Sequence, residues 1–204
     1  MPEEDTRLSR IERKKDKMRQ QIITVAMDLF RKQGFYGTTL EQIAQEVDIA
    51  KKTLYNYFPE KEAIISAYVQ GFSRKEAFHL DEFIRSYPDI RSRLLAIFEK
   101  SAQTYEADPE VWKVYTLYRL RNKFNFSKDE ELRSGFEGIL TKVIAHAQEE
   151  GNIRLDIPAK ELAQHLEKYF FMTVLSMLND LEGFSLSNSL ARCVDIFLNG
   201  VTSR

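Results

Sequence analysis

The sequence predicts an all-α protein of about nine helices, and three observations carry that reading. Apolar residues recur at intervals of three and four nearly everywhere, with no strand-like alternation, internal repeat or low-complexity linker. Gly is 8 and Pro is 5 in 204 residues, too little turn punctuation for a sandwich or barrel. A hydrophobic fraction of 43%, with aromatics at 12%, supplies enough apolar surface to offset the entropy of ordering the chain.

The elements follow in order. Ile22, Ala26, Leu29 and Phe30 form one helical stripe that stops at Gly34, a residue suited to a left-handed cap. A second helix starts at Thr38 or Thr39, since Thr38 with Glu41 and Thr39 with Gln42 both have capping-box spacing. Leu40, Ile43, Ala44 and Val47 make its buried face. After a short break at residues 48–50, a third helix of two turns spans Lys51 to Tyr57, closed by Phe58-Pro59. A long helix from Glu60 runs through Ile64, Ile65, Tyr68 and Phe72 toward Tyr87, where Pro88 breaks it. Further helices are expected over Ile90–Ala107, Pro109–Asn122, Asp129–Glu150, Pro158–Leu181 and Leu186–Val201, with Pro109 and Pro158 at first helical positions and Gly151 and Gly183 as caps.

Composition narrows the function classes. A single cysteine, Cys193, excludes an intrachain disulfide framework and any multi-cysteine metal cage. His79, His146 and His165 are scattered; Glu161 and His165 share a helix face, but two ligands make no metal site. No nucleophile elbow or phosphate-cradling glycine loop is present, so an enzyme reading has no residue to point at and neither metal nor cofactor is called for. The polar first twenty residues do not read as a secretory signal. The longest apolar stretch, Tyr169 to Leu178, is far short of the roughly 20 residues of a membrane span. The expectation is a cytoplasmic protein with no membrane partner.

Charge is distributed unevenly. Residues 1–75 carry 14 Lys+Arg against 11 Asp+Glu, a net of +3, and residues 76–204 carry 16 against 20, a net of −4. Arg7, Arg10, Arg13, Lys14, Lys15, Lys17 and Arg19 face only Glu12 and Asp16, which reads as a basic arm over residues 1–15 running into the first helix. Two short helices with a tight break between them, and two lysines opening the second, form a helix-turn-helix arrangement. In that motif the second helix enters the major groove with its N-terminal residues toward base edges. Ile43, Ala44, Ile49, Leu54 and Phe58 can pack the motif, leaving Lys51, Lys52, Tyr55, Asn56 and Tyr57 outward, where lysine and asparagine suit base edges and tyrosine suits phosphate.

The run from Gln21 to Phe30, then Gly34-Phe35, Thr38-Thr39, Ile43-Ala44, the segment Thr53 to Phe58 and Lys61-Glu62 resembles the DNA-binding domain of the TetR family of bacterial repressors. The resemblance covers roughly Lys17 to Tyr68 without a gap. It implies a helix-turn-helix DNA-binding domain over residues 16–75 and a ligand-binding and dimerisation domain over 76–204. It places Lys51, Lys52, Thr53, Tyr55, Asn56 and Tyr57 on a recognition helix, and Thr39 and Lys61 at phosphate-contacting positions. Two residues depart from the family pattern. Asp48 stands where glycine is usual and Ala50 where a Ser or Thr cap is usual, and Asp48 is expected to offset the lost cap by taking a helix N-terminus one turn earlier.

The resemblance also implies a homodimer built on the last two helices, whose wide stripes suit a four-helix interface. Leu166, Phe170, Val174, Val194, Phe197 and Leu198 are the expected interface residues. Trp112, Tyr115 and Tyr118 share a helix, with Phe98, Tyr105 and Phe136 on its predicted neighbours, an aromatic set suited to lining a pocket for a small effector. Arg119, Arg121 and Lys123 could supply a counter-charge for an acidic ligand, and a solvated helix face is the reading favoured over it. The function expected is a homodimeric, sequence-specific regulator that binds a palindromic double-stranded operator and leaves it when a small, mostly apolar or aromatic ligand binds. The competing reading is a DNA-binding protein of the same fold with a structural or division-related role under a protein partner, and a filled core without a cavity would favour it.

Overall fold

A computed structural model describes residues 10–122, 135–179 and 185–201. Ten helices form within them: α1 (Arg10–Gln33), α2 (Leu40–Val47), α3 (Lys51–Tyr57), α4 (Lys61–Phe78), α5 (Leu80–Ser86), α6 (Ile90–Ala107), α7 (Pro109–Asn122), α8 (Phe136–Glu149), α9 (Ala159–Asn179) and α10 (Leu186–Val201). The chain divides into two compact units, one up to Tyr68 and the other from Val69 onward. Arg7, Lys123, the expected helical residues 129–134, Leu181 and Gly183 lie outside the described residues, as does the side chain of Phe72.

In the first unit, α1 buries Ile22, Ile23, Ala26, Met27 and Phe30 on one stripe. Each of the four larger side chains contributes roughly 1.5–3 kcal/mol of burial. Helix α1 packs on α2, and α2 on α3. Gly34 ends α1 at φ 79°, its N–H donating to the Phe30 carbonyl at 2.9 Å. Gly37 is held by a different constraint. A Cβ there would come within 2.4 Å of the Gln33 carbonyl oxygen, so only glycine fits the tight turn into α2. The segment expected to be an arm is helical from Arg10, because it continues the α1 hydrogen-bond ladder with exposed, mostly basic side chains.

The second unit is a helical bundle. Helix α9 packs most extensively on α8, α10 packs on α6 and α9, and α6 also meets α7 and α8. The helix expected from Glu60 to Tyr87 is two helices. His79 leaves helical geometry at φ −100°, ψ 11°, and the break lets α5 bury Leu80 and Ile84. Pro109 opens α7, whereas Pro158 stands one place before α9, its carbonyl accepting from the Leu162 N–H at 3.2 Å. Leu166, Phe170, Val174, Val194, Phe197 and Leu198 are all buried within the chain itself, because α9 and α10 turn their main apolar stripes toward α6 and α8. The large apolar side chains these helices leave exposed are Tyr169, Met172 (60%) and Ile196 (59%).

Arg93 supplies an internal clasp. Its guanidinium is buried, donates to both Glu150 carboxylate oxygens at 2.7 and 2.9 Å, and donates through Nε to the carbonyls of Ile84 and Tyr87. One side chain thereby fastens the α5–α6 turn to the end of α8. The paired guanidinium holds the Glu150 carboxyl down to about 2.

Candidate functional site

The α2–α3 pair is organised by its caps. Thr39, not Thr38, caps α2: its Oγ accepts from the Gln42 N–H at 3.1 Å while Gln42 Oε1 accepts from the Thr39 N–H at 2.8 Å. Thr38 is fully buried, its hydroxyl donating to the Gly34 carbonyl. Asp48 adopts the left-handed conformation at φ 57°, ψ 50°, and its N–H closes the end of α2. It does not cap the next helix as expected. Ala50 holds the N-cap of α3 with no side-chain hydrogen bond, because methyl offers no acceptor.

Helix α3 buries Leu54 and leaves Lys51, Lys52, Tyr55 and Asn56 exposed, with Thr53 and Tyr57 half-buried. Exposed donors are thus grouped on one short helix, the arrangement a groove-reading helix requires. One contact was not foreseen. The Glu41 carboxylate on α2 pairs with Lys51 Nζ and accepts from the Tyr55 hydroxyl at 3.4 Å. Their hydrogen bond raises the Lys51 pKa and lowers that of Glu41. The signal lay in ordinary view, a carboxylate one helix away from the lysine-led start of α3.

Lys61 is half-buried and its ammonium is spent inward. It donates to the carbonyls of Phe35 at 2.6 Å and Thr38 at 2.5 Å, and lies 4.4 Å from the centroid of the Phe35 ring. Burial lowers its pKa, against the opposing charge of Glu62. Two of its three donors therefore hold the α1–α2 turn. Tyr36 in that same turn is 78% exposed, edge-on to Phe35, and sequence reasoning passed over it.

Within the second unit, a cavity of about 230 Å³ lies among α5, α6, α7, α8 and α9. Tyr105, Trp112, Tyr115 and Phe136 line it. Tyr105 stacks on Trp112 at 4.2 Å, and Trp112 meets Tyr115 edge-on at 5.8 Å. Phe98 and Tyr118 are not in the wall. Phe98 lies behind it, packed on Phe170 at 5.3 Å, and Tyr118 is buried near Arg121. Leu80, Phe83, Phe170 and Phe171 add to the apolar surface. Arg119 also lines the cavity, although its sequence context reads as a solvated face. It is ion-paired with Glu167 on α9 at 3.5 Å.

Residues 22–68 match the family model of bacterial regulatory proteins, tetR family. The HTH-type transcriptional repressor KstR2 of Rhodococcus jostii (strain RHA1) is 26% identical over 141 residues, covering 68% of this chain and 69% of that one. The structure is similar to FadR of Thermus thermophilus, a TetR family transcriptional repressor in complex with lauroyl-CoA, with TM-score 0.81 and 22% identity over 91% of this chain and 96% of that one. It is also similar to FadR of Bacillus subtilis in complex with stearoyl-CoA, with TM-score 0.65 and 18% identity over 89% and 98%. Residues 22–68 are thus a DNA-binding domain of the TetR-family type. The domain has α2 and α3 as its helix-turn-helix and is of the kind that TetR-family DNA-binding transcriptional regulators carry. No helix among the described residues is long and apolar enough to cross a membrane.

Proposed function

We propose that this TetR-family protein is a homodimeric repressor that holds a palindromic operator through α3 and releases it when a small, mostly apolar ligand enters the α5–α9 cavity. The observation that carries the reading is the cavity itself, walled by Tyr105, Trp112, Tyr115 and Phe136. A regulator controlled only by a protein partner has no need of it. Lys51, Lys52, Tyr55 and Asn56 supply base and phosphate donors, with Thr53 and Tyr57 at the edges of the helix. Thr39 and the remaining donor of Lys61 serve phosphates, as does the exposed Tyr36 hydroxyl. Two such helices related by a two-fold axis require half-sites about one helical turn, or a small multiple, apart. The dimer contact falls on the exposed Tyr169, Met172 and Ile196.

The acyl thioesters bound by the two FadR proteins support an acyl-type ligand, and the size of the cavity sets its scale. A 150 Å³ apolar cavity accommodates benzene, so about 230 Å³ accommodates roughly nine non-hydrogen atoms. Footprinting of the purified protein on the DNA upstream of its own gene tests the reading. A protected palindrome, lost on adding a medium-chain acyl compound that also changes Trp112 fluorescence, is the expected result. Tyr115→Ala blunts the release while leaving ligand-free binding near normal. Release that is equally efficient with Tyr105, Trp112, Tyr115 and Phe136 all truncated would place the effector elsewhere.

A further inference from the structure

Helix α3 holds its outward side chains in two different environments. At about 3.6 residues per turn, Lys52 and Asn56 lie about 160° and 200° round the helix from Leu54, which is fully buried. They therefore point directly away from the core, and both are exposed. Neither makes a hydrogen bond or an ion pair among the described residues. Lys51 and Tyr55 lie only about 60° and 100° from Leu54, on the flank that meets Glu41 of α2. There the Glu41 carboxylate pairs with Lys51 Nζ and accepts from the Tyr55 hydroxyl at 3.4 Å. Lys51 Nζ also lies 5.6 Å from the centroid of the Tyr55 ring. Thr53 and Tyr57 occupy the opposite flank and are half-buried.

We infer that Lys52 and Asn56 are the base readers of α3, the first for a guanine and the second for an adenine, while Lys51 and Tyr55 grip the phosphate backbone. The inference rests on the operator-reading role proposed for α3 and adds which bases the helix selects and which side chains select them. The division follows from competition for the donors. A base edge presents neutral acceptors, whereas Glu41 presents a full negative charge, and charge-assisted hydrogen bonds are about twice as strong as neutral ones. A guanine therefore gains little by drawing Lys51 away from Glu41. A phosphate is itself an anion and competes on equal terms. Lys52 and Asn56 give up only water when they meet DNA. Lysine donates to the O6 and N7 acceptors of guanine, and asparagine donates to N7 and accepts from N6 of adenine. Four positions separate the two residues, about 6 Å of helix rise. Successive bases on one strand are about 3.4 Å apart, so the two base pairs stand within about two steps of each other.

In vitro selection from a random-sequence duplex library with the full-length protein makes the test, followed by fluorescence anisotropy on the selected duplex and on single base-pair changes of it. The parent is expected to select half-sites with a guanine close to an adenine. In Asn56→Ala the adenine preference alone is expected to vanish, so that a base-pair change costing the parent about tenfold costs the variant nothing measurable. Lys52→Ala is expected to lose the guanine preference alone, and Lys52→Arg, whose guanidinium also suits guanine, to retain it. Lys51→Ala is expected to weaken binding to every duplex by a similar factor and to leave the base preferences as they are. These side chains are exposed, so the variants keep the fold. Parental base preferences surviving intact in Lys52→Ala and Asn56→Ala overturn the inference. So does the loss of preference at one base pair in Lys51→Ala or Tyr55→Ala. If the parent selects no motif at all, the operator reading of α3 fails and the inference goes with it. That outcome is distinct from the other two, in which sequence is read but by different side chains.

Discussion

Glu41 occupies the place of an anion that the motif meets again on DNA. Its carboxylate engages Lys51 and Tyr55, two of the donors turned outward on α3. On the proposed role of α3, a phosphate must displace that carboxylate before it gains either group, so Glu41 is expected to weaken binding and trim its salt dependence. Glu41→Gln is expected to bind operator more tightly and to steepen the slope of log K against log salt by about one unit. Lys51→Ala is expected to flatten the slope by a similar amount. Fluorescence anisotropy across a salt series checks both, and a Glu41→Gln slope equal to the parent's would mean that Lys51 never reaches a phosphate. Glu150 shows the same logic in stability. Its carboxyl titrates near 2 in the fold, chiefly through Arg93 with His146 also close, against 4.5 for a free glutamate. A lowered pKa stabilises the fold fully above 4.5, and that contribution is lost as pH falls from 4.5 toward 2. Glu150→Gln is expected to be less stable than the parent at neutral pH, with a flatter acid decline across that window in urea melts monitored by circular dichroism.

At the scale of the element, the α2–α3 junction carries two local costs. Asp48 is the single non-glycine residue at positive φ among the described residues, and α3 begins without a side-chain cap. Asp48→Gly is expected to stabilise the first unit by up to about 1 kcal/mol. Ala50→Ser is expected to add about 1 kcal/mol by offering an acceptor to the first turn of α3. Thermal melts of the two variants, alone and together, test this, and a loss of stability in Ala50→Ser would mean that the α3 donors are already satisfied. How far these elements could be read in advance varied with the physics. The stripe of α1, the stop at Gly34 and the exposed donors of α3 follow from spacing and residue type, and were legible. The choice between Thr38 and Thr39 was not, because both satisfy the capping-box spacing and only packing decides which hydroxyl is buried. The break at His79 was equally hidden, since no Pro or Gly marks it and its motive is the burial of Leu80 and Ile84.

For the whole molecule, periodicity reports that a face is buried but not what buries it. The stripes through Leu166, Phe170 and Val174 and through Val194, Phe197 and Leu198 are covered by the chain's own α6 and α8. Arg119 illustrates the opposite error, since charge in a sequence carries no record of depth and its partner Glu167 is 48 positions away. Assembly is tested on the exposed face proposed for it. Met172→Asp and Ile196→Asp are expected to sediment as folded monomers that bind operator poorly. Val194→Asp, at a position with no exposure, is expected to lose its helical signal instead, because an unpaired charge in the core costs about 3–5 kcal/mol. Folded dimers in both surface variants would move the contact away from α9 and α10.

The ammonium of Lys61 does inside the first unit what a bound metal ion does in other small domains. It gathers the carbonyls of Phe35 and Thr38, while Gln33 reaches Gly37, Thr38 and Gln42 from the other side. The turn between α1 and α2 is thereby tied at once to the last turn of α1, the first turn of α2 and the first turn of α4, which leaves no slack at which a hinge could form. The helix-turn-helix is consequently expected to behave as a single solid part gripped at the root of α4. Its phosphate and base contacts should therefore break together. Dissociation from a half-site is expected as one kinetic phase, with no peeling of α3 ahead of the rest, and stopped-flow anisotropy would resolve a second phase if the clasp opened first.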